Sequence, residues 1–172
     1  MEESEIKIDK EGTWYYRGAH MFRKEILCGF FENLKIDECG KYLIELGEER
    51  CYLDVEDTAF VVSAVYKTGL PKDDHDNIYV LLTDDSLEIL DLSTLQIGKD
   101  NVLYCRVKKG KFRARFSRKS YYQLAEFIEQ SENEEMFFIR LNGQKYFIRE
   151  TPIPKAKRVG IGKLNNPAKR RV

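Results

Sequence analysis

Apolar residues recur at helical spacing through Phe22–Leu34 (FRKEILCGFFENL), which puts Ile26, Leu27, Phe30, Phe31 and Leu34 on one face. Strand-like segments follow. Tyr42–Asp54 (YLIELGEERCYLD) predicts a hairpin turning at Gly47–Glu48. In that register Ile44 faces Cys51, Tyr42 faces Leu53, Leu43 faces Tyr52 and Glu45 faces Arg50. The same pattern returns ninety-five residues later, without gaps, as Phe137–Arg149 (FFIRLNGQKYFIR). A second helix candidate, Ser117–Gln130, precedes this copy, with Tyr121, Leu124, Ala125 and Ile128 in register. Ser117 is a good N-cap residue, and Asn142–Gly143 is the strongest short hairpin signal in the chain.

Shorter apolar stretches complete the pattern. Ile6–Asp9 and Thr13–Arg17 predict two strands around a turn at Gly12, although Trp14, Tyr15 and Tyr16 cannot all face one side. Phe60–Lys67 (FVVSAVYK) reads as a strand buried on both faces. Ile78–Thr83 and Leu87–Leu90 form a hairpin turning at Asp84–Asp85, and Val102–Val107 and Phe112–Phe116 another near Lys109–Gly110. The expected fold is α+β, with internally duplicated hairpin–helix–hairpin units at Ile6–Val55 and Val102–Arg149. Glu56–Asn101 supplies extra antiparallel strands between them. The organisation expected is an N-terminal repeat (1–57), a β-rich C-terminal half with the second repeat (58–150), and a basic tail (151–172).

Charge changes this picture at the end of the chain. The net charge is zero over 172 residues, but residues 151–172 carry seven Lys/Arg and no acid. The rest holds 22 bases against 29 acids, a net of −7. The acidic start lacks a secretory h-region, and no apolar run approaches a membrane span, so a cytoplasmic protein is expected. Four cysteines without CxxC spacing read as reduced, mostly buried thiols, Cys39 being the most exposed candidate for redox sensing.

No metal, cofactor or catalytic group is indicated. His20 and His75 lack ligands at metal-binding spacing, and the acidic loop Asp73–Asp76 reads as solvated. No nucleophile elbow is present, and Gly160–Lys163 lacks the remainder of a phosphate loop. The informative cluster is Asn101–Ala125, with eight Lys/Arg and no acid. With a turn at Lys109–Gly110, Val107 faces Phe112 and Cys105 faces Ala114 on the apolar side. Arg106 then faces Arg113, and Tyr104 faces Arg115, on the other. Opposed like charges are destabilising, so a counter-anion is required. Either an internal carboxylate (Glu56, Asp57 or the Asp84–Asp85 turn) or a bound phosphate satisfies that need. Arg115 and Arg118, flanking the start of the second helix, are the best-placed cations.

These residues resemble the bacterial DUF1285 family. The shared elements are Ile8-Asp9, Gly12-x-Trp14, Gly18, Arg23, the Leu27/Phe30/Phe31 helix, Gly40-x-Tyr42-x-Ile44 and Glu48. They continue through Val55-Glu56-Asp57 with Phe60 and through Ala114-Arg115-Phe116-Ser117-Arg118. Ala19–His20 departs from the family, which usually has a proline–apolar pair there. The resemblance implies a duplicated core whose second half superficially resembles a pleckstrin-homology barrel. It also implies a cleft between the halves for a nucleotide-like ligand, and a role in signalling.

The resulting expectation is a non-catalytic regulatory module that binds a phosphorylated small molecule in the junction cleft. Arg115, Arg118 and Arg23 would neutralise phosphate, Trp14 would offer a stacking face, and Asp57 would orient an arginine. The alternative is a protein- or nucleic-acid-interaction module that uses the basic strand face and tail, nucleic acid being the less favoured partner.

Overall fold

A computed structural model of the chain describes residues 4–69, 75–133 and 135–150. The expected basic tail, Asp73 and Asp74 of the acidic loop, and Gly160–Lys163 lie outside the described residues.

The first unit begins with β1 (Ile6–Ile8) and β2 (Trp14–Tyr16), which pair antiparallel and bury Ile6, Ile8 and Trp14. Asp9 shapes their turn by accepting from the N–H groups of Glu11 and Thr13. β3 (Ala19–His20) folds back on β2, and helix α1 (Lys24–Glu32) follows. A meander of β4 (Leu34–Ile36), β5 (Tyr42–Leu46) and β6 (Glu49–Tyr52) leads into β7 (Asp54–Val55), which returns parallel to β1. The β5–β6 register is the expected one, with Leu43, Ile44 and Glu45 opposite Tyr52, Cys51 and Arg50.

Between the units run β8 (Phe60–Gly69), β9 (Asp76–Leu82) and β10 (Leu87–Ile89). The second unit then repeats the first element by element. It comprises β11 (Gln96–Ile97), β12 (Leu103–Val107), β13 (Phe112–Phe116), helix α2 (Arg118–Ala125), β14 (Ile128–Gln130), β15 (Phe137–Leu141), β16 (Gln144–Phe147) and β17 (Arg149–Glu150). β17 lies parallel to β11 as β7 lies to β1. Individual hydrogen bonds recur as well. Leu53 N–H donates to Tyr42 O in one copy, and Ile148 N–H to Phe137 O in the other.

The duplication therefore holds, with a larger unit than hairpin–helix–hairpin. The second copy starts at Gln96 rather than Val102, and each copy adds a strand after its helix and a parallel return strand. Those strands are two or three residues long, too short to show alternation. Three helical expectations change: Ile128 lies in β14, Ile26 is 43% exposed, and Tyr121 is exposed at the helix surface. The thiols are not mostly buried either, since Cys39 and Cys51 are exposed and only Cys105 of the four is buried.

Sheet order separates the copies. The first unit's sheet runs β3-β2-β1-β7 and stops. The second unit's sheet extends past β13 onto β8, parallel, giving β10-β9-β8-β13-β12-β11-β17. These sheets are open and the described strands close no barrel, so the likeness to a pleckstrin-homology domain goes no further than antiparallel strands with a helix. The two units are joined by a chain of rings. Trp14 meets Phe31 at 5.1 Å, Phe31 meets Phe60 at 5.0 Å, and Phe60 meets Phe112 at 5.1 Å. Burying each such ring stabilises the junction by about 2–3 kcal/mol. Among the described residues no helix is long and apolar enough to cross a membrane.

Candidate functional site

Asp57 leaves the end of β7 and reaches into the second unit. Its Oδ2 accepts from Arg115 Nη1 at 2.8 Å and from the Tyr104 hydroxyl at 2.7 Å. Next to it, the buried Thr58 Oγ1 accepts from the Arg115 N–H and donates to Phe60 O, fixing β13 against the start of β8. The predicted β12–β13 register is present at all four positions, so Arg106 does face Arg113. The Arg113 guanidinium lies 3.5 Å over the Tyr104 ring, and Arg106 is exposed. The structure thus supplies an internal carboxylate for Arg115 and an aromatic face for Arg113.

The ring of Tyr104 also fixes position 98. A Cβ on Gly98 would sit 2.7 Å from Tyr104 Cε2 and 3.3 Å from Arg113 Nη2, so no larger residue fits without displacing the ring. Burial, with the hydrogen bond to Asp57, pushes the Tyr104 hydroxyl up to about 12. It is a fixed donor at ordinary pH, neither a base nor a nucleophile.

The other expected site residues lie elsewhere. Trp14 is 2% exposed and packs against Phe30 and Phe31, so it has no open stacking face. Arg23 occupies the N-cap position of α1 without a side-chain cap bond, and Arg118 begins α2; both are exposed. No hydrogen bond or ion pair among the described residues joins any of the three to the Asp57–Arg115 pair.

A groove of about 830 Å³ opens between α1–β4 of the first unit and the β12–β13 turn of the second. Phe31, Leu34, Ile36 and Phe112 give it an apolar lining, Phe60 beside them being 1% exposed, and Lys35, Lys108, Lys109 and Lys111 line it with charge together with Glu32 and Asp84. The turn is built with Lys108, Lys109 and Gly110 all at positive φ, a conformation that L side chains adopt at a cost of about 1–2 kcal/mol each. A clamp holds it there. Lys108 Nζ donates to Asp84 at 2.6 Å and to Ser86 Oγ at 2.8 Å, and its N–H donates to Glu88 Oε1 at 3.0 Å. Burial alone would raise the Asp84 carboxyl, but hydrogen bonds from Lys108 and Ser86 outweigh it and hold it below the usual range. Lys35 is paired with Glu45 at 2.8 Å, whereas Lys109 and Lys111 have no carboxylate partner among the described residues.

No protein-family model and no curated protein matches the sequence. Solved structures do. A DUF1285 family protein from Silicibacter pomeroyi DSS-3 matches with a TM-score of 0.68 at 20% identity, covering 85% of this chain and 80% of that one. A DUF1285 family protein from Shewanella baltica OS155 matches with a TM-score of 0.58 at 17% identity, over 72% and 91% respectively. The chain has the DUF1285 fold. That agrees with the resemblance read from its residues, and at these identities it speaks to the fold alone.

Within this DUF1285 fold, the sequence pointed at Asp57 and Arg115, which meet, and at the Asn101–Ala125 cluster. It missed Tyr104 as a donor and the lysine turn as the charged rim of a cavity. The signal was there in Lys108–Lys111, but the groove's other wall comes from residues 28–36, which no local pattern connects to the turn. Among the described residues no group of three or more His, Cys, Asp or Glu side chains could hold a metal ion.

Proposed function

We propose that the protein is a non-catalytic cytoplasmic regulatory module that binds a phosphorylated, nucleotide-like ligand in the groove between the two halves. The supporting observation is the pairing of an apolar lining with two ammonium groups, Lys109 and Lys111, that make no ion pair among the described residues. Ile36, which is 38% exposed, and the edges of Phe31 and Phe112 offer apolar contact to a flat ring, while Lys109 and Lys111 supply ammonium groups to phosphate oxygens. The Lys108 clamp fixes the turn before the ligand arrives, so little ordering cost is added on binding. In this reading Arg115 is a structural cation spent on Asp57, and the phosphate role passes to the lysine turn. A signalling role rests on the DUF1285 resemblance.

The test is a thermal-shift and calorimetry panel of adenosine and guanosine mono-, di- and triphosphates at moderate salt. A ligand at one hundred times its Kd adds about 2.7 kcal/mol of stability. Lys109→Glu with Lys111→Glu should abolish the shift while leaving the unliganded midpoint close to wild type, because both side chains are exposed. A flat response across the panel, or an undiminished shift in the double variant, sinks the reading.

A further inference from the structure

The two units allow one question to be asked twice: what lies beside the third strand of each sheet? In the second unit the answer is β8. It runs parallel to β13, with Phe60, Val61 and Val62 opposite Ala114, Arg115 and Phe116. Helix α2 is fastened onto it, for Ser120 Oγ donates to Val62 O at 2.7 Å and Val65 N–H donates to Gln123 Oε1 at 2.8 Å. In the first unit the matching strand is β3, and it ends the sheet.

The first unit carries the marks of an unfilled place. The end of each helix is pinned by an equivalent bond, Asn33 N–H to Phe30 O and Phe127 N–H to Leu124 O, which sets an offset of 94 within the helices. Ser120, buried on β8, therefore corresponds to Ile26, which is 43% exposed. Phe22, between β3 and the helix, is 74% exposed, the highest among the large apolar side chains described. Met21 N–H donates to Trp14 O, so the neighbouring pair Tyr15–His20 is a non-hydrogen-bonded one. The N–H and C=O of His20 therefore point away from β2, toward the free edge.

Two further observations describe what the edge would accept. A cavity of about 240 Å³ opens beside β3, lined by Met21, Phe22 and Leu27 and by Thr83, Asp84 and Asp85, the two acids being engaged by Lys108 and Lys24. Trp14 also lines it, and Trp14 Nε1 is the buried side-chain polar atom without a hydrogen-bond partner among the described residues. A donor buried without an acceptor costs about 1–3 kcal/mol, so the Trp14 indole is sensitive to any change in the packing of the cavity it lines. At the far end of β3, Arg23 is exposed with no carboxylate partner among the described residues, whereas Lys24 is engaged by Asp85 at 3.1 Å.

We propose that β3 is a docking edge for an extended segment of a partner protein, added parallel to β3 as β8 is added to β13. The segment is apolar where it passes His20–Phe22 and acidic where it reaches Arg23. Parallel addition carries its C-terminal end toward the start of α1, which places the acid. Main-chain pairing supplies the affinity, and Phe22, Ile26 and Arg23 supply the selectivity. A second copy of this chain is the poorer occupant. Two-fold pairing through β3 would run antiparallel and bring Arg17 of each copy, already engaged by Glu5 at 2.6 Å, toward Arg23 of the other, which would leave Arg23 without an acid.

The probe is an acetylated peptide carrying the Phe60–Val65 sequence followed by two glutamates, titrated into the ¹⁵N-labelled full chain. The chain has one tryptophan, so its indole N–H resonance reports the cavity directly. Saturable shifts are expected at the amides of residues 18–27 and at the Trp14 indole. Phe22→Asp and Arg23→Glu should each raise Kd at least fivefold, and both positions are exposed, so the fold is preserved. His20→Pro, which removes the outward N–H, should weaken binding in the same way. The proposal is overturned if millimolar peptide leaves these resonances unmoved, or if a version ending in two lysines binds equally well. It is also overturned if the shifts map to β10, or if they appear with protein concentration in the absence of peptide.

Discussion

The two units of this chain share eight elements in one order, yet one is anchored and the other is open. The contrast is clearest at a single turn. In the first unit Asp9 holds the β1–β2 turn and also receives the Tyr15 hydroxyl at 3.3 Å. The parallel pairs of β1 with β7 and β11 with β17 align Tyr15 with Tyr104 and Asp9 with Gly98. With glycine in place of aspartate, the Tyr104 ring crosses the turn and its hydroxyl reaches Asp57 at the end of the first unit. A tyrosine that closes a local turn in one copy has become a tie between units in the other. The duplication supplies a scaffold, and the functional candidates lie where the copies have diverged.

The largest effect should come from refilling that turn. Gly98→Ala puts a Cβ within 2.7 Å of the Tyr104 ring, closer than real contacts allow, so the ring must leave Asp57 and Arg113. Overpacking of this kind should cost about 2–3 kcal/mol by chemical denaturation. The reciprocal change, Asp9→Gly, removes the two turn hydrogen bonds, one exposed and one part-buried, and the long bond from the Tyr15 hydroxyl, and should cost about 1 kcal/mol. Equal costs would mean that the two turns are equivalent after all.

Cutting the tie at its other end should cost slightly less. Asp57→Ala leaves the Arg115 guanidinium and the Tyr104 hydroxyl partly buried without an acceptor, worth about 2 kcal/mol. A pH signature accompanies it. The Tyr104 hydroxyl ionises near 12 in the folded chain against 10.0 ordinarily. Its raised value therefore contributes stability in full below pH 10, and that contribution is lost as pH rises toward 12. Tyr104→Phe should flatten the loss of stability between pH 10 and 12; an unchanged alkaline limb would show that Tyr104 is not the group concerned.

Residue pattern made much of this visible and left one class of feature hidden. The registers of β5–β6 and β12–β13 follow from alternation and turn chemistry, because one residue of slip would expose every apolar side chain. Ser117 caps α2 as expected, its Oγ accepting from the Ser120 N–H. Asp57 and Arg115 were both legible as partners for unlike charge. What stayed hidden was every parallel pairing, β1 with β7, β11 with β17 and β13 with β8, since these join segments tens of residues apart with no shared turn. The groove and the open edge beside β3 both depend on such pairings.

A smaller effect is expected at the second hairpin turn. Asn142 is bolted to β9, accepting from the Asp76 N–H at 2.8 Å and donating to Asp76 O at 2.9 Å. The ninety-five-residue offset places Gly47 in the equivalent position of the first unit, where no side chain can do the same. Asn142→Ala should cost about 0.5–1 kcal/mol, because both bonds are exposed. Amide exchange should be faster in the β5–β6 hairpin of the wild type than in β15–β16, and the variant should narrow the gap. A gap that stays as wide would mean that Asn142 is not what holds the second hairpin.

The smallest effect is the most discriminating for the open edge. Ile26 corresponds to Ser120, and the same exchange should have opposite consequences in the two copies. Ile26→Ser sits on an exposed helix face and should change stability by no more than about 0.5 kcal/mol. Ser120→Ile forces a branched side chain against the β8 backbone, where the serine is fully buried and bonded to Val62 O, and should cost at least about 2 kcal/mol. If Ile26→Ser proves as costly as that, the α1 face is already packed and β3 has no vacant neighbour. A neutral Ile26→Ser that nonetheless weakens peptide binding ties the exposed face to an occupant from outside the chain.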